Sequence, residues 1–476
     1  MKLIIHILLL IFSLIFCLVY SYGDLYFVRL LTILCSVSNI VYAFLDYKKR
    51  FVFLAFNITF LLFLLGQDVA NFLSVSNTFH LTAIDEFSHS EKLYIYLCLF
   101  VSLQSVFWTY SYFESKGACE FSKFDVFDPK ILSIRKVSKK MMYLFYVFAL
   151  LVALERVVFV QTVSYVDFYV NFTSYLPAFV YKFASLYEYS FFLFLATLPL
   201  KKDCKFALIL YILLGTLTLG YGQRNGFVLN VLFVFIYLVL RDYMKIYGRG
   251  EVWLKRKYLI VSVCSLPFFI FFLYSFNYSR NNMETEQMSS LWDTFLAFFY
   301  QQGGSVKIIG LEKHFSDMNA FPNDFPYSLG YFVDMFQQNY LFKLFNLFPD
   351  YPSQTYELAV YGHNYSATIS YLNNSQHYYM GLGLGSCYIA EIIHDFGIVG
   401  LLIINILYAF LFAVFYKILL KKGVWGLYFM FIMITAILYA PRSGVLDFFT
   451  VVISITQLLF VLFVYLHTHK RKIHVK

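Results

Sequence analysis

The sequence predicts an all-α polytopic membrane protein of about twelve transmembrane helices with one large loop outside the bilayer. Three observations carry that expectation. Of the 476 residues 60% are hydrophobic and only 14% charged, with a mean hydropathy of +0.67, far from the balance of a water-soluble domain. Apolar runs long enough to cross a bilayer recur along the chain. Lys and Arg gather in alternate connections between those runs.

In order, the twelve runs lie near 3–20, 25–45, 51–70, 93–112, 141–161, 177–199, 206–220, 226–243, 258–276, 388–416, 424–440 and 446–466. The first follows Lys2 directly and lacks a small-x-small cleavage site before Asp24, so it reads as a span and not a signal sequence. The run at 206–220 is short, and a pair of half-helices is the alternative there. Residues 1–276 thus hold nine spans, 277–387 form the large loop, and 388–476 hold three spans and a basic tail. No internal repeat is visible, and the two-related-halves pattern of many transporters is missing.

Around Lys2 and within 46–50, 113–140, 201–205, 241–257, 417–423 and 467–476 lie 27 of the 37 Lys and Arg residues. Both termini are therefore expected in the cytoplasm. This bias accounts for the net charge of +9 without a nucleic-acid partner. Seven cysteines at 17, 35, 98, 119, 204, 264 and 387 show no paired spacing, so neither a disulfide framework nor a zinc site is expected. The sequence lacks a His-x-x-x-His pair and a Walker loop, and Gly381-x-Gly-x-Gly385 has no preceding strand. No metal and no cofactor is expected.

The loop carries Phe321-Pro322, Phe325-Pro326, Phe348-Pro349 and Tyr351-Pro352, which break it into short helices and turns. Stretches 291–299 and 340–348 are aromatic enough to lie in the membrane interface. The sequons at Asn171 and Asn364 are explained by chance.

On the expected outer side, where positive charge is otherwise avoided, stand Arg224, Arg280 and Arg442. Arg224 lies in Gly222-Gln223-Arg224-Asn225-Gly226, a tight corner between spans, and Arg442 follows Pro441, which ends a helix. A snorkelling arginine is the plainer reading of each. Together they point to an anion site, because a guanidinium fork suits phosphate oxygens. Candidate proton acceptors cluster in the second half of the loop and just past it: His363, His377, His394, Glu391 and Asp395. Gly362 beside His363 permits close approach. Within the apolar helices lie Asp68, Glu155, Arg156, Lys182 and Glu188. Arg156 is expected to pair with Glu155 or Glu188 as a structural ion pair, although a proton-coupled transporter would use Glu188.

Residues 378–400 change character halfway. Glycines 381, 383 and 385 free the backbone, Ser386 stands where a helix N-cap is expected, and Tyr388, Glu391 and Asp395 then fall on one helical face. Gly-Leu-Gly-Ser at 383–386, Tyr-Ile-Ala-Glu at 388–391, Asp-Phe-Gly at 395–397 and Gly400 resemble the signature of bacterial O-antigen and capsular polysaccharide polymerases of the Wzy type. The likeness is strongest over 360–400, 222–226 and 441–442.

The resemblance implies a glycosyltransferase C-like bundle in the bacterial cytoplasmic membrane, with the loop covering an extracytoplasmic active site. It implies undecaprenyl-diphosphate-linked glycans as donor and acceptor, surrounding membrane lipid, and a chain-length regulator protein as partner. Arg224, Arg280 and Arg442 would hold the diphosphate, with Gln223, Ser386, Tyr388 and Asp395 in support. Either His363 or Glu391 would take the acceptor proton; the residues leave both open. His394 and Cys387 are not expected to be required. An O-antigen ligase would use similar arginines and a loop histidine, and a lipid-linked oligosaccharide flippase would use the intramembrane charges.

Overall fold

The computed structural model describes residues 2–74, 79, 81–115, 125–163, 168, 172–244, 252–254, 257, 268, 291–323, 325–337, 345, 349, 351–415 and 423–470. Among them the regular elements are all helical. The membrane part begins with α1 (Lys2–Tyr22), α2 (Leu25–Phe44), α3 (Tyr47–Leu64), α4 (Gly66–Leu73), α5 (His89–Ser115) and α6 (Pro129–Thr162). It continues with α7 (Ala178–Ala196), α8 (Lys201–Gly220) and α9 (Arg224–Met244). Short helices follow: α10 (Leu291–Gln302), α11 (Lys307–Asp317), α12 (Gly330–Gln337), α13 (Tyr356–Tyr361), α14 (Tyr365–Asn373) and α15 (Ser375–Tyr379). The chain then returns through α16 (Tyr388–Phe410), α17 (Val424–Tyr439), α18 (Asp447–Ile453) and α19 (Ile455–Lys470).

Eight of these, α1, α2, α5, α6, α8, α9, α16 and α17, are long and apolar enough to cross a membrane, and the bent pairs α3–α4 and α18–α19 raise the number to ten if each is one span. The twelve expected runs therefore resolve unevenly. Within 177–199 the helix α7 forms over Ala178–Ala196, but Lys182, Glu188 and several tyrosines dilute it, and it is not one of the eight. The run at 258–276 lies outside the described residues apart from Phe268. At 206–220 no pair of half-helices forms: α8 is continuous from Lys201 to Gly220.

Ring stacking joins neighbouring helices. Phe16 of α1 lies on Phe100 of α5 at 3.8 Å, Phe53 of α3 on Tyr110 of α5 at 4.2 Å, and Phe191 of α7 on Tyr211 of α8 at 4.3 Å. The basic connections meet at one end of the bundle. Arg50, fully buried, makes a two-pronged pair with Glu114 at 2.7 and 2.9 Å. Lys48 pairs with Asp242, Lys139 with Asp203, and Lys201 donates to the Val252 carbonyl. His6 reaches Ser111 at 2.6 Å, and His467 lies beside Lys136, so the N-terminal end of α1 and the C-terminal end of α19 both lie here. The basic connections and these two helix ends thus share one end of the bundle.

Inside the membrane part the charges are paired differently from expectation. Asp68 meets Arg29 Nε at 2.8 Å and the Tyr96 hydroxyl at 3.0 Å. Glu155 does not pair with Arg156; it accepts from the Tyr181 hydroxyl and the Tyr175 and Leu176 amides, while the Arg156 guanidinium stands 5.9 and 5.8 Å from the Tyr181 and Tyr221 rings. The reason is local: the turn at 174–176 brings unsatisfied amides to the carboxylate.

Two breaks position the site. The chain turns by 71° between α3 and α4, and Gly66 at that bend sits against Gly303, where a Cβ on either would run into Phe299 O or Gln67 N. Helix α10 of the loop is thereby packed on α4, where the sequence predicts an interfacial stretch; most of 340–348 lies outside the described residues. Within α16, Gly397 has φ 62° and ψ −160°, a region essentially closed to other residues. Gly397→Ala is expected to lower stability by about 1–3 kcal/mol, although nothing lies within 4 Å of the added Cβ. Thermal unfolding of the two purified proteins in one detergent measures it.

Candidate functional site

Of the polar residues singled out from the sequence, Arg442, Glu391, Asp395 and His363 lie where the loop meets the head of α16 and the turn between α17 and α18. Pro441 opens a 3-10 turn, Ala440–Arg442, so α17 ends and the chain doubles back. Arg442, half-buried, donates from Nη1 to Gln302 Oε1 at 3.2 Å and lies 5.8 Å from the Phe63 ring. No described carboxylate lies within ion-pair reach of it, and a guanidinium has five N–H donors. Its remaining donors suit an anion.

Glu391 is fully buried and has both oxygens occupied. Ser386 Oγ donates to Oε1 at 2.5 Å, and the Val445 amide donates to Oε2 at 2.9 Å. The Val445 carbonyl in turn accepts from Tyr408 at 2.6 Å. The carboxylate therefore fixes the turn that carries Arg442. The expected N-cap role of Ser386 is corrected: Cys387 occupies the cap position with no side-chain cap bond, because the Ser386 hydroxyl is committed to Glu391. Asp395, one turn further, accepts from the Tyr327 and Ser328 amides at 3.0 and 2.7 Å, tying the turn before α12 to α16. Tyr388 points into the bundle, donating to Asn405, whose amide reaches Ser102. Its role is to join α16 to α5.

His363 precedes α14, whose N-cap Asn364 accepts from Ala367 N at 3.1 Å. The imidazole lies against Phe325 at 4.0 Å, and its buried Nδ1 has no hydrogen-bond partner. Burial lowers its pKa from the ordinary 6.5, keeping it neutral and able to accept a proton. Beside it, burial raises the Asp334 carboxyl from 3.8, opposed by a hydrogen bond from Asn364.

A chain of close contacts connects His363 to the arginine turn. A Cβ at Gly330 would collide with His363 O, and one at Gly444 with the Tyr331 ring. Helix α12 is thus pressed between the His363 backbone and the residue two places beyond Arg442. Gln223 closes the other corner through its backbone, donating to Thr218 O at 2.8 Å and accepting from Thr218 Oγ1 at 2.7 Å. Arg224 begins α9, but its side chain lies outside the described residues, as does all of Arg280. Among the described residues no three His, Cys, Asp or Glu side chains gather to hold a metal ion.

Sequence reasoning missed Glu312. It is 2% exposed, accepts from Ser316 at 2.8 Å, faces His394 Nδ1 at 3.8 Å, and has no partner at Oε2. The signal was an acid on the apolar stripe Ile308, Ile309, Leu311, Phe315 of α11. Asp447, which accepts from the Gly444 amide at 3.1 Å, was also missed. In the sequence it is an acid at the head of an apolar run, which is ordinary helix-start chemistry; in the structure it shapes the arginine turn.

These features define a multi-span, all-helical membrane protein with a polar site assembled between a helical loop and the ends of its membrane helices. A family model described as O-antigen polysaccharide polymerase Wzy matches residues 2–471, and the chain belongs to that family. It is an O-antigen repeat-unit polymerase, a glycosyltransferase-type membrane enzyme whose substrates are lipid-linked oligosaccharides. No curated protein and no solved structure matches it.

Removing the Glu391 carboxylate leaves the Val445 amide and Ser386 hydroxyl buried without an acceptor. At about 1–3 kcal/mol for each orphaned group, Glu391→Ala is expected to lose at least about 2 kcal/mol, and Ser386→Ala less. Unfolding of the purified variants distinguishes this from a purely chemical role, which would leave stability unchanged.

Proposed function

We propose that polymerisation takes place at the outer face of the cytoplasmic membrane, with both termini in the cytoplasm, and that Arg442, Arg224 and Arg280 hold the diphosphate of the donor lipid. The observation that carries this reading is the linkage of His363 to the Arg442 turn through α12. The acceptor hydroxyl oxygen attacks the anomeric carbon of the donor sugar, and the carbon–oxygen bond to the undecaprenyl diphosphate breaks. The diphosphate leaves with the bonding pair, and guanidinium groups stabilise its charge. The hydroxyl proton passes to His363, which burial keeps neutral.

Between the two candidate bases, His363 is favoured. Glu391 has its oxygens committed to Ser386 and Val445, so it acts as a positioning residue for the arginine turn. Asp395 and Gln223 support the site through backbone hydrogen bonds, Ser386 by holding the Glu391 carboxyl, and Tyr388 by joining α16 to α5 through Asn405. A chain-length regulator protein is the proposed protein partner.

The test is deletion of the gene in its host, complemented at matched protein levels, with surface glycan separated by size. Wild type restores a ladder; Arg442→Ala, Arg224→Ala and His363→Ala are expected to leave single repeat units, a loss of about 100-fold or more in polymer for the base. A full ladder from His363→Ala sinks its assignment as base. The pH profile supplies a second check. Because burial lowers the imidazole pKa from 6.5, its basic form predominates at neutral pH and is lost as pH falls through the lowered value. Polymerisation in membrane vesicles should therefore persist at neutral pH and decline as the pH falls, with a midpoint below that of an ordinary imidazole.

A further inference from the structure

Far from this site, at the basic end of the bundle, α6 and α19 enclose a groove of about 270 Å³ lined by Lys136, Val137, Lys140, Met141, Phe463 and His467. The lining follows from helical spacing. Lys136 and Lys140, Val137 and Met141, and Phe463 and His467 are each four residues apart, so each pair stacks along one face. The basic residues of α6 divide by face. Arg135 donates to Thr197 O at 2.7 Å, and Lys139 pairs with Asp203 at 3.3 Å; both hold α6 against its neighbours. Lys136 and Lys140, one position on, are exposed, and no described carboxylate pairs with either. At 34 residues α6 is about 51 Å long, against a hydrocarbon core of about 30 Å. Its apolar stretch begins at Met141, directly after the lysines, which places their ammonium groups at headgroup depth. Below them the groove is walled by Val137, Met141 and Phe463, and Phe463 and Leu462 are more than half exposed at 55% and 51%. The His467 ring stacks on Phe463 at 6.0 Å and 12°, turning an imidazole toward the same rim.

We propose that this groove is a binding site for an anionic phospholipid, its phosphate between Lys136, Lys140 and His467 and an acyl chain along Val137, Met141 and Phe463. Two unpaired ammonium groups above an apolar wall match a phosphodiester above a hydrocarbon chain in both charge and polarity order. A soluble phosphate would leave the apolar wall uncovered, and a neutral lipid would leave the lysines unpaired. The occupant joins α6 to α19, the last of the described helices, so it acts as a lateral clasp on the bundle.

The full-length protein, purified in a mild non-ionic detergent, is titrated with dioleoyl phosphatidylglycerol or dioleoyl phosphatidylcholine and bound lipid is counted by native mass spectrometry. Wild type should retain phosphatidylglycerol preferentially, and Lys136→Gln with Lys140→Gln should weaken that binding by about 10- to 30-fold while leaving phosphatidylcholine unchanged. Lys136→Arg with Lys140→Arg should retain it, which separates lost charge from lost fold. Equal retention by the Gln pair, loss by the Arg pair, equal binding of both lipids, or displacement by millimolar glycerol 3-phosphate would each overturn the assignment.

Discussion

A carboxylate with no exposure, placed where three parts of the chain meet, is the constraint on which the site depends. Glu391 opens α16, yet it holds Ser386 from the end of the loop and Val445 from the turn beyond α17. A buried carboxyl group without hydrogen-bond partners is costly enough that the surrounding chain must supply them. That requirement, more than any contact of Arg442 itself, sets where the guanidinium stands. The hydrogen bonds of Glu391 thus fasten the end of the loop to the turn that carries Arg442.

The loop is attached by the same logic at several points, each a backbone or charged group finding a partner on a membrane helix or a neighbouring connection. Asp395 receives two amides at the turn before α12. Lys307 pairs with Glu86 at 2.6 Å and His314 with Glu91 at 2.9 Å, fixing α11 to the segment that leads into α5. Glycine-to-backbone contact at Gly66 and Gly303 does the rest. These are short-range, directional fastenings, suited to keeping side chains in register above the membrane helices.

Much of this is legible in the sequence. Apolar length announces the membrane helices and charge bias announces which connections share an end, because both follow from one-dimensional physics. The motif from Gly383 to Gly400 carries the family likeness. The roles within it are less legible. Ser386 looks like a cap because local spacing is all a sequence offers; its true partner, Glu391, is local, but Val445 is 54 residues away. Glu312 is hidden for the same reason, since an acid on an apolar stripe has meaning only once His394 is known to face it. The 71° bend between α3 and α4 is likewise invisible, because hydropathy measures length and not direction.

Gly397 carries a further consequence. It divides α16 into a short upper piece bearing Glu391 and Asp395 and a lower piece bearing the apolar length. The upper piece is bolted to the loop and the arginine turn; the lower one is wetted by acyl chains. The two pieces follow separate directions because the residue between them carries no side chain and takes a backbone conformation closed to others.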